Sequence, residues 1–170
     1  MLVQSLEARL ILLELKRIGV THVINVPDST QKELLSLAER DGDIKLITAT
    51  TEDQAVGISC GLVIGGARPV VSIQNSGFFA CLNALRTLTL DMGIGTFFLV
   101  GLYRRETDRL MIEHTSRAIK TLIPLMSLME TKIFHITGKS DVQNLGLHYT
   151  YNKAMNESRS IAAILGAPLT

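Results

Sequence analysis

Cysteine is scarce in this chain: Cys60 and Cys81 are the two in 170 residues, and they form no spaced framework. Both fall in stretches expected to be helical, so they read as reduced core thiols of a cytoplasmic protein. Cys and His lack metal-ligand spacing, so no metal site is expected on this chain. Charge of either sign is not in excess: 17 Lys+Arg against 16 Asp+Glu leave +1, with no basic cluster. Nucleic acid is therefore not the expected partner. No apolar run nears the roughly 20 residues that span a bilayer, so no membrane association is expected. Residues 1–7 lack a basic region followed by an apolar run, so no signal peptide is predicted there. Aromatics are only 5%, yet hydrophobic residues reach 46% and mean hydropathy is +0.27. That richness excludes disorder. It also predicts burial of part of the apolar surface against another subunit.

What is present is a repeated switch between helical and strand periods. Residues 5–18 carry Leu6, Leu10, Leu13 and Ile18 on one helical stripe, which Gly19 stops. Strands are expected at 22–26, 44–49, 69–73, 96–101, 132–136 and 160–165, the second of them buried. Helices are expected up to Glu39 with Ser29 or Thr30 as cap, from 50 to 65, from 78 to 90, from 116 to 129, and from Ser140 to Asn156. Pro124 marks a kink or restart in the fourth of these. The alternation implies an α/β fold: a three-layer α/β/α sandwich with a mostly parallel sheet of about six strands. Length favours one domain over residues 1–170. No internal repeat or linker is visible.

Chemistry-bearing residues gather where strands hand over to helices, the rim at which open parallel sheets bind ligands. Glu52 opens a helix whose next residues include Ala55, Gly57, Ser59, Cys60 and Gly61, so a large group can approach that helix. A solvated first-turn acid and a helix packed on its neighbours fit the same pattern. Gln74-Asn75-Ser76-Gly77 ends the third strand, with Ser76 as a natural N-cap and Gly77 open to close approach. An ordinary capped turn reads the same way. Pro27-Asp28-Ser29 ends the first strand and is also compatible with a plain turn. Arg104, Arg105 and Arg109 lie in the polar loop 102–111, either solvated or facing an anion. His114 follows Glu113 at a loop–helix boundary, as a structural residue or a proton-transfer group. His22, His135 and His148 read as structural. No phosphate-loop or dinucleotide glycine motif is present, which counts against a nucleotide-binding Rossmann domain.

Val26-Pro27-Asp28-Ser29, then Glu52 with its small-residue helix, then Gln74-Asn75-Ser76-Gly77 with Asn83-Ala84-Leu85, occur in this order. Together they resemble the pyrimidine-binding domain of thiamine diphosphate-dependent decarboxylases, in particular the sulfopyruvate and phosphonopyruvate decarboxylase group. The likeness covers nearly the whole chain. It implies that Glu52 hydrogen-bonds N1′ of the cofactor's aminopyrimidine. A proton shared there favours the tautomer whose 4′-nitrogen can take the thiazolium C2 proton. Gln74, Asn75, Ser76 and Gly77 would border the cofactor, and Asp28 and Ser29 the substrate. His114 would be a second catalytic group with Asp28, and Arg104 and Arg105 would receive an anionic 2-oxo acid such as a sulfonate or phosphonate.

The resemblance also implies a partner. Thiamine enzymes hold Mg²⁺ and the diphosphate with Gly-Asp-Gly and a downstream Asn; this chain has only Asp41-Gly42-Asp43, before a strand. A beta subunit with the diphosphate-binding domain is therefore expected, this chain being an alpha subunit inactive by itself, with homo-oligomerisation in addition. Phe78-Phe79 replaces the small residues of the family's loop and would narrow the pocket. The loop 102–105 departs from the phosphonopyruvate pattern, and Ile112-Glu113 precedes His114 in place of Pro-Gln. Two alternatives stay open: another 2-oxo acid decarboxylase of the same group, or a catalytically silent oligomeric α/β binding module.

Overall fold

The computed structural model describes residues 6–106, 110–143, 146–166 and 169–170. The strands are β1 (His22–Asn25), β2 (Lys45–Thr48), β3 (Pro69–Gln74), β4 (Thr96–Gly101), β5 (Lys132–Ile136) and β6 (Ser160–Leu165). The helices are α1 (Ala8–Ile18), α2 (Lys32–Asp41), α3 (Glu52–Ile64), α4 (Gly77–Ala80), α5 (Leu82–Ala84), α6 (Arg117–Leu128), α7 (Lys139–Gln143) and α8 (Gly146–Asn156). A π-helical stretch, Leu85–Asp91, continues α5. The six strands form one sheet in the order β2-β1-β3-β4-β6-β5, and every pair is parallel. Because helices cross over between strands, both faces are covered and the central strands β1, β3, β4 and β6 are buried along nearly their whole length.

Alternation divides the core. Val23, Val70, Phe97, Leu99, Ile161 and Ala163 join one buried cluster with residues of α1, α2 and α8. Ile24, Val71, Ile73, Phe98, Val100 and Ile164 join the other with residues of α3, α4 and α6. The register aligns the carboxyl ends: Asn25 pairs with Ser72, Gln74 with Gly101, and Gly101 with Leu165. After β1 the chain turns outward to β2, then returns to β3 on the other side. That reversal opens the rim between β1 and β3.

Several local expectations change. β2 is an edge strand with Lys45 and Thr48 exposed, because nothing pairs beyond it. The stripe of α1 is rotated: Ile11, Leu12, Leu15 and Ile18 are buried while Leu13 is 51% exposed. Leu6 lies outside the helix, in a bridge to Leu169. The helix expected over 78–90 is broken into α4, α5 and the π stretch. The stretch expected as one helix over 140–156 is helical at Lys139–Gln143 and at Gly146–Asn156, and residues 144 and 145 lie outside the described residues. Its cap is Asp141, whose Oδ2 accepts from the amides of Thr137 and Gly138, not Ser140. α6 runs unbroken through Pro124. Among the described residues no helix is long and apolar enough to cross a membrane.

Candidate functional site

Two adjacent acids start α3 and are used differently. Thr51 is extended (φ −139°, ψ 160°) and brings the chain from β2 into the helix. Gln54 Oε1 reaches back to accept from Thr50 N at 2.8 Å, one residue before the N-cap. The Asp53 carboxyl is held below its ordinary range by the Thr51 hydroxyl, then by the Gln54 amide. Glu52 is left over. No described residue gives its half-buried carboxylate a hydrogen bond or an ion pair. It lies against Gly77, where a Cβ would fall 2.6 Å from Glu52 Cγ and Cδ. The missing side chain of Gly77 is thus what lets Glu52 lie at this turn. Behind this pair, burial pushes the Cys81 thiol up to about 12, and the Glu52 charge adds to the shift.

The β1 loop is knotted to β3 and β4. Asp28 Oδ1 accepts from Thr30 N at 2.8 Å and Gln74 Nε2 at 3.2 Å, and Oδ2 accepts from the Thr30 hydroxyl. Thr30 thus serves Asp28 instead of capping α2, which has no side-chain cap. Gln31, fully buried, is the hub beneath. Its Nε2 donates to Ile73 O at 2.9 Å and Leu99 O at 3.2 Å, and lies 3.4 Å from Asp28 Oδ2. Its Oε1 accepts from the Ser72 hydroxyl at 2.9 Å. No motif marks Gln31 in the sequence, since a glutamine before a helix reads as solvated. Gly101 leaves room for the knot: a Cβ there would fall 2.9 Å from Asp28 Oδ2.

The Gln74-Asn75-Ser76-Gly77 turn binds mostly to itself and to the β4 loop. Ser76 is exposed and donates to Gln74 Oε1 at 2.7 Å; it caps no helix. Buried Asn75 donates its amide to Gly101 O at 2.9 Å and accepts from Tyr103 N at 3.0 Å through Oδ1. Phe78 is wholly buried, edge-on to Phe98 with ring centres 5.6 Å apart, so only Phe79, 37% exposed, faces outward. The expectation of two pocket-narrowing rings is corrected to at most one.

Ser29, Arg104 and Arg105 share the wall of a cavity of about 290 Å³ with Thr30, Gly101 and Gly166. Arg104 takes a left-handed backbone (φ 60°) and lies over the Tyr103 ring at 5.3 Å. Arg105 Nη1 is buried without a hydrogen-bond partner. Arg109 lies outside the described residues. His114, 3% exposed, faces two main-chain amides: Glu106 N at 2.7 Å from Nε2 and Ser116 N at 3.1 Å from Nδ1. A neutral imidazole accepts at only one nitrogen, and the shorter contact marks Nε2. The ring therefore latches the β4 loop to the start of α6. Among the described residues no three His, Cys, Asp or Glu come together as a metal site.

No family model matches the chain. Over 86 residues it is 34% identical to the sulfopyruvate decarboxylase subunit alpha of Methanocaldococcus jannaschii, covering 51% of this chain and 51% of that protein. Over 70 residues it is 34% identical to the subunit of the same name from Methanococcus maripaludis, covering 41% and 42%. A sulfopyruvate decarboxylase of Methanosarcina acetivorans matches at 33% over 81 residues, 47% of this chain and 20% of that one. The chain thus spans about half the length, or less, of the curated relatives it matches. In fold it is similar to a 2-oxoglutarate:ferredoxin oxidoreductase from Magnetococcus marinus, solved with 2-oxoglutarate, coenzyme A and succinyl-CoA bound. The TM-score is 0.66 at 11% identity, over 94% of this chain and 28% of that one.

Proposed function

We propose that this chain is the alpha subunit of a thiamine diphosphate-dependent 2-oxo acid decarboxylase, most like sulfopyruvate decarboxylase. It works with a beta subunit that carries the diphosphate-binding domain. The observation that carries the reading is Glu52, a rim carboxylate with no hydrogen-bond or ion-pair partner among the described residues, seated on Gly77. The residues present suit the cofactor's pyrimidine half: an unpaired acid, a glycine cradle and an exposed Ser76 hydroxyl beside it. When bound, thiamine diphosphate supplies the electron sink that lets CO₂ leave a 2-oxo acid. Glu52 holds a proton at ring nitrogen N1′. Gln74 and Ser76 border the same ring, while Asn75 and Gly77 act by shaping the turn.

Asp28 and His114 serve as positioning groups in this reading, because their polar atoms already face main-chain and side-chain donors of this chain. Ser29, Arg104 and Arg105 take the anionic end of the substrate, and the unpartnered Arg105 Nη1 supports that role. The beta subunit holds Mg²⁺ and the diphosphate. A second copy of this chain also joins the assembly, which operates in the cytoplasm; the two free cysteines are in keeping with that compartment.

Co-purification with a candidate beta subunit, then CO₂ release with thiamine diphosphate and Mg²⁺, tests the reading. Sulfopyruvate, phosphonopyruvate and pyruvate form the substrate panel. The expected result is turnover of sulfopyruvate first. A stable complex that binds cofactor and releases CO₂ from none of them would overturn it.

A further inference from the structure

We propose that Gln31 is a positioning residue of this site, a buried amide that ties the ends of β3 and β4 together beneath Asp28, which Thr30 and Gln74 also hold. The inference rests on the decarboxylase reading for its consequence in catalysis, but its geometry stands apart. Gln31 is fully buried, so its hydrogen bonds are made without competition from water. Two of its acceptors are carbonyls at the carboxyl ends of neighbouring strands, Ile73 O and Leu99 O. Ile73 is one residue short of the rim residue Gln74, and Leu99 is two short of the rim residue Gly101. The third, at 3.4 Å, is Asp28 Oδ2. The amide oxygen is fixed by Ser72, so the side chain cannot flip without setting a donor against that hydroxyl and losing both carbonyls. One orientation therefore satisfies every group, and it sets how far Asp28 stands from Gln74.

Gln31→Glu removes the donors and keeps the size and the Ser72 acceptor. One substituted oxygen would then face three acceptors, the carboxylate of Asp28 among them, and only its protonated form restores a donor. Asp28 is the one titratable group in hydrogen-bond range of this position. Arg104 and Arg105 stand across Thr30 on the cavity wall, and Lys32, next to Gln31, lines a second groove with Asp28.

Two measurements test the proposal. On the chain alone, hydrogen exchange at the Thr30 amide, which donates to Asp28 Oδ1, should speed by about tenfold or more in Q31E. In the assembled enzyme, kcat should fall on the order of 10²-fold with KM within about twofold. Lowering pH from about 8 to about 6 should recover part of kcat relative to wild type, as the substituted carboxyl regains its proton. Gln31→Met, which removes both donor and acceptor, should show the exchange change without pH recovery. Unchanged Thr30 exchange in Q31E and Q31M overturns the proposal, as does full kcat in an assembled, folded Q31E enzyme. If wild type shows no decarboxylation at all, the functional reading fails, while the exchange result still decides the role of Gln31.

Discussion

Glu52 and Asp53 are neighbours at one helix start, and their surroundings give them different work. Asp53 takes the Thr51 hydroxyl and helix amides; Glu52 takes no hydrogen bond or ion pair from the described residues and lies on Gly77. Gly77→Ala should therefore move the carboxylate and not unfold the protein, since the clash is with the end of a flexible side chain. The expected result is a loss of turnover on the order of 10²-fold, with stability within about 2 kcal/mol, checked by kcat and thermal midpoint on the same assembled enzyme. Cys81 offers a second check on this corner. With its thiol pushed to about 12, alkylation at mildly alkaline pH should be blocked in the folded chain and should appear on unfolding. Most of these positions were legible because each rim residue sits just after a strand with a clear apolar pattern. What each side chain does there was not. Asp28, Asn75 and His114 also hold neighbouring loops, contacts that exist because the fold brings segments distant in sequence together. Gln31 was invisible because its partners are 41 to 68 residues away in the sequence.

α3 carries apolar residues on every side, an arrangement usual for a covered helix. Its exposed line includes Gly57, Gly61 and Ile64, the last 72% exposed. Nothing in the chain lies within 4 Å of a Cβ at Gly57 or Gly61, so the fold does not require glycine there. Glycine in a helix interior costs about 0.5–1 kcal/mol relative to alanine. Gly57→Ala should therefore stabilise the isolated chain and raise its thermal midpoint by about 2–4 °C. A lowered midpoint would mean that α3 needs glycine for its own packing. At this scale β4, β5 and β6 match the expected bounds, because they are short apolar runs between turn residues. β2 carries the same kind of run at the sheet edge, and pattern alone does not separate an edge strand from a central one. The break at 77–91 and the phase of α1 were missed for a related reason. In 77–91 apolar residues lie on several sides, so the pattern selects no single face; in α1 Ala8, Ile11, Leu12, Leu15 and Ile18 do form one stripe, and Leu10 and Leu13 beside it stand in their place in the expected one.

Across the whole molecule, two imidazoles link stability to pH. Burial lowers the pKa of His22, with Lys45 adding to the effect; burial does the same at His135, with Arg105 adding. Both folded values lie below the ordinary 6.5, so the unfolded chain takes up protons first as pH falls. Stability should therefore be full above about pH 7 and decline as pH drops through the unfolded value toward the folded ones. Urea midpoints at about pH 7.5 and about pH 5.5 should show the decline, and a double His22→Gln, His135→Gln chain should show a shallower one. A wild-type midpoint that holds or rises on acidification would contradict the assignment. The sheet order β2-β1-β3-β4-β6-β5 could not be read from alternation, which gives strand number and parallelism but not placement. That order brings Glu52, Gln74, Asp28 and the arginine cavity to one rim. In the proposed function the Glu52 carboxylate on this rim, unpaired among the described residues, activates a cofactor shared with a partner subunit. The most direct test of that role is CO₂ release from sulfopyruvate by the co-purified assembly, wild type against Glu52→Gln, at matched subunit stoichiometry. The account predicts turnover in the first and a loss of at least about 10²-fold in the second. Equal turnover in the two assemblies would contradict it.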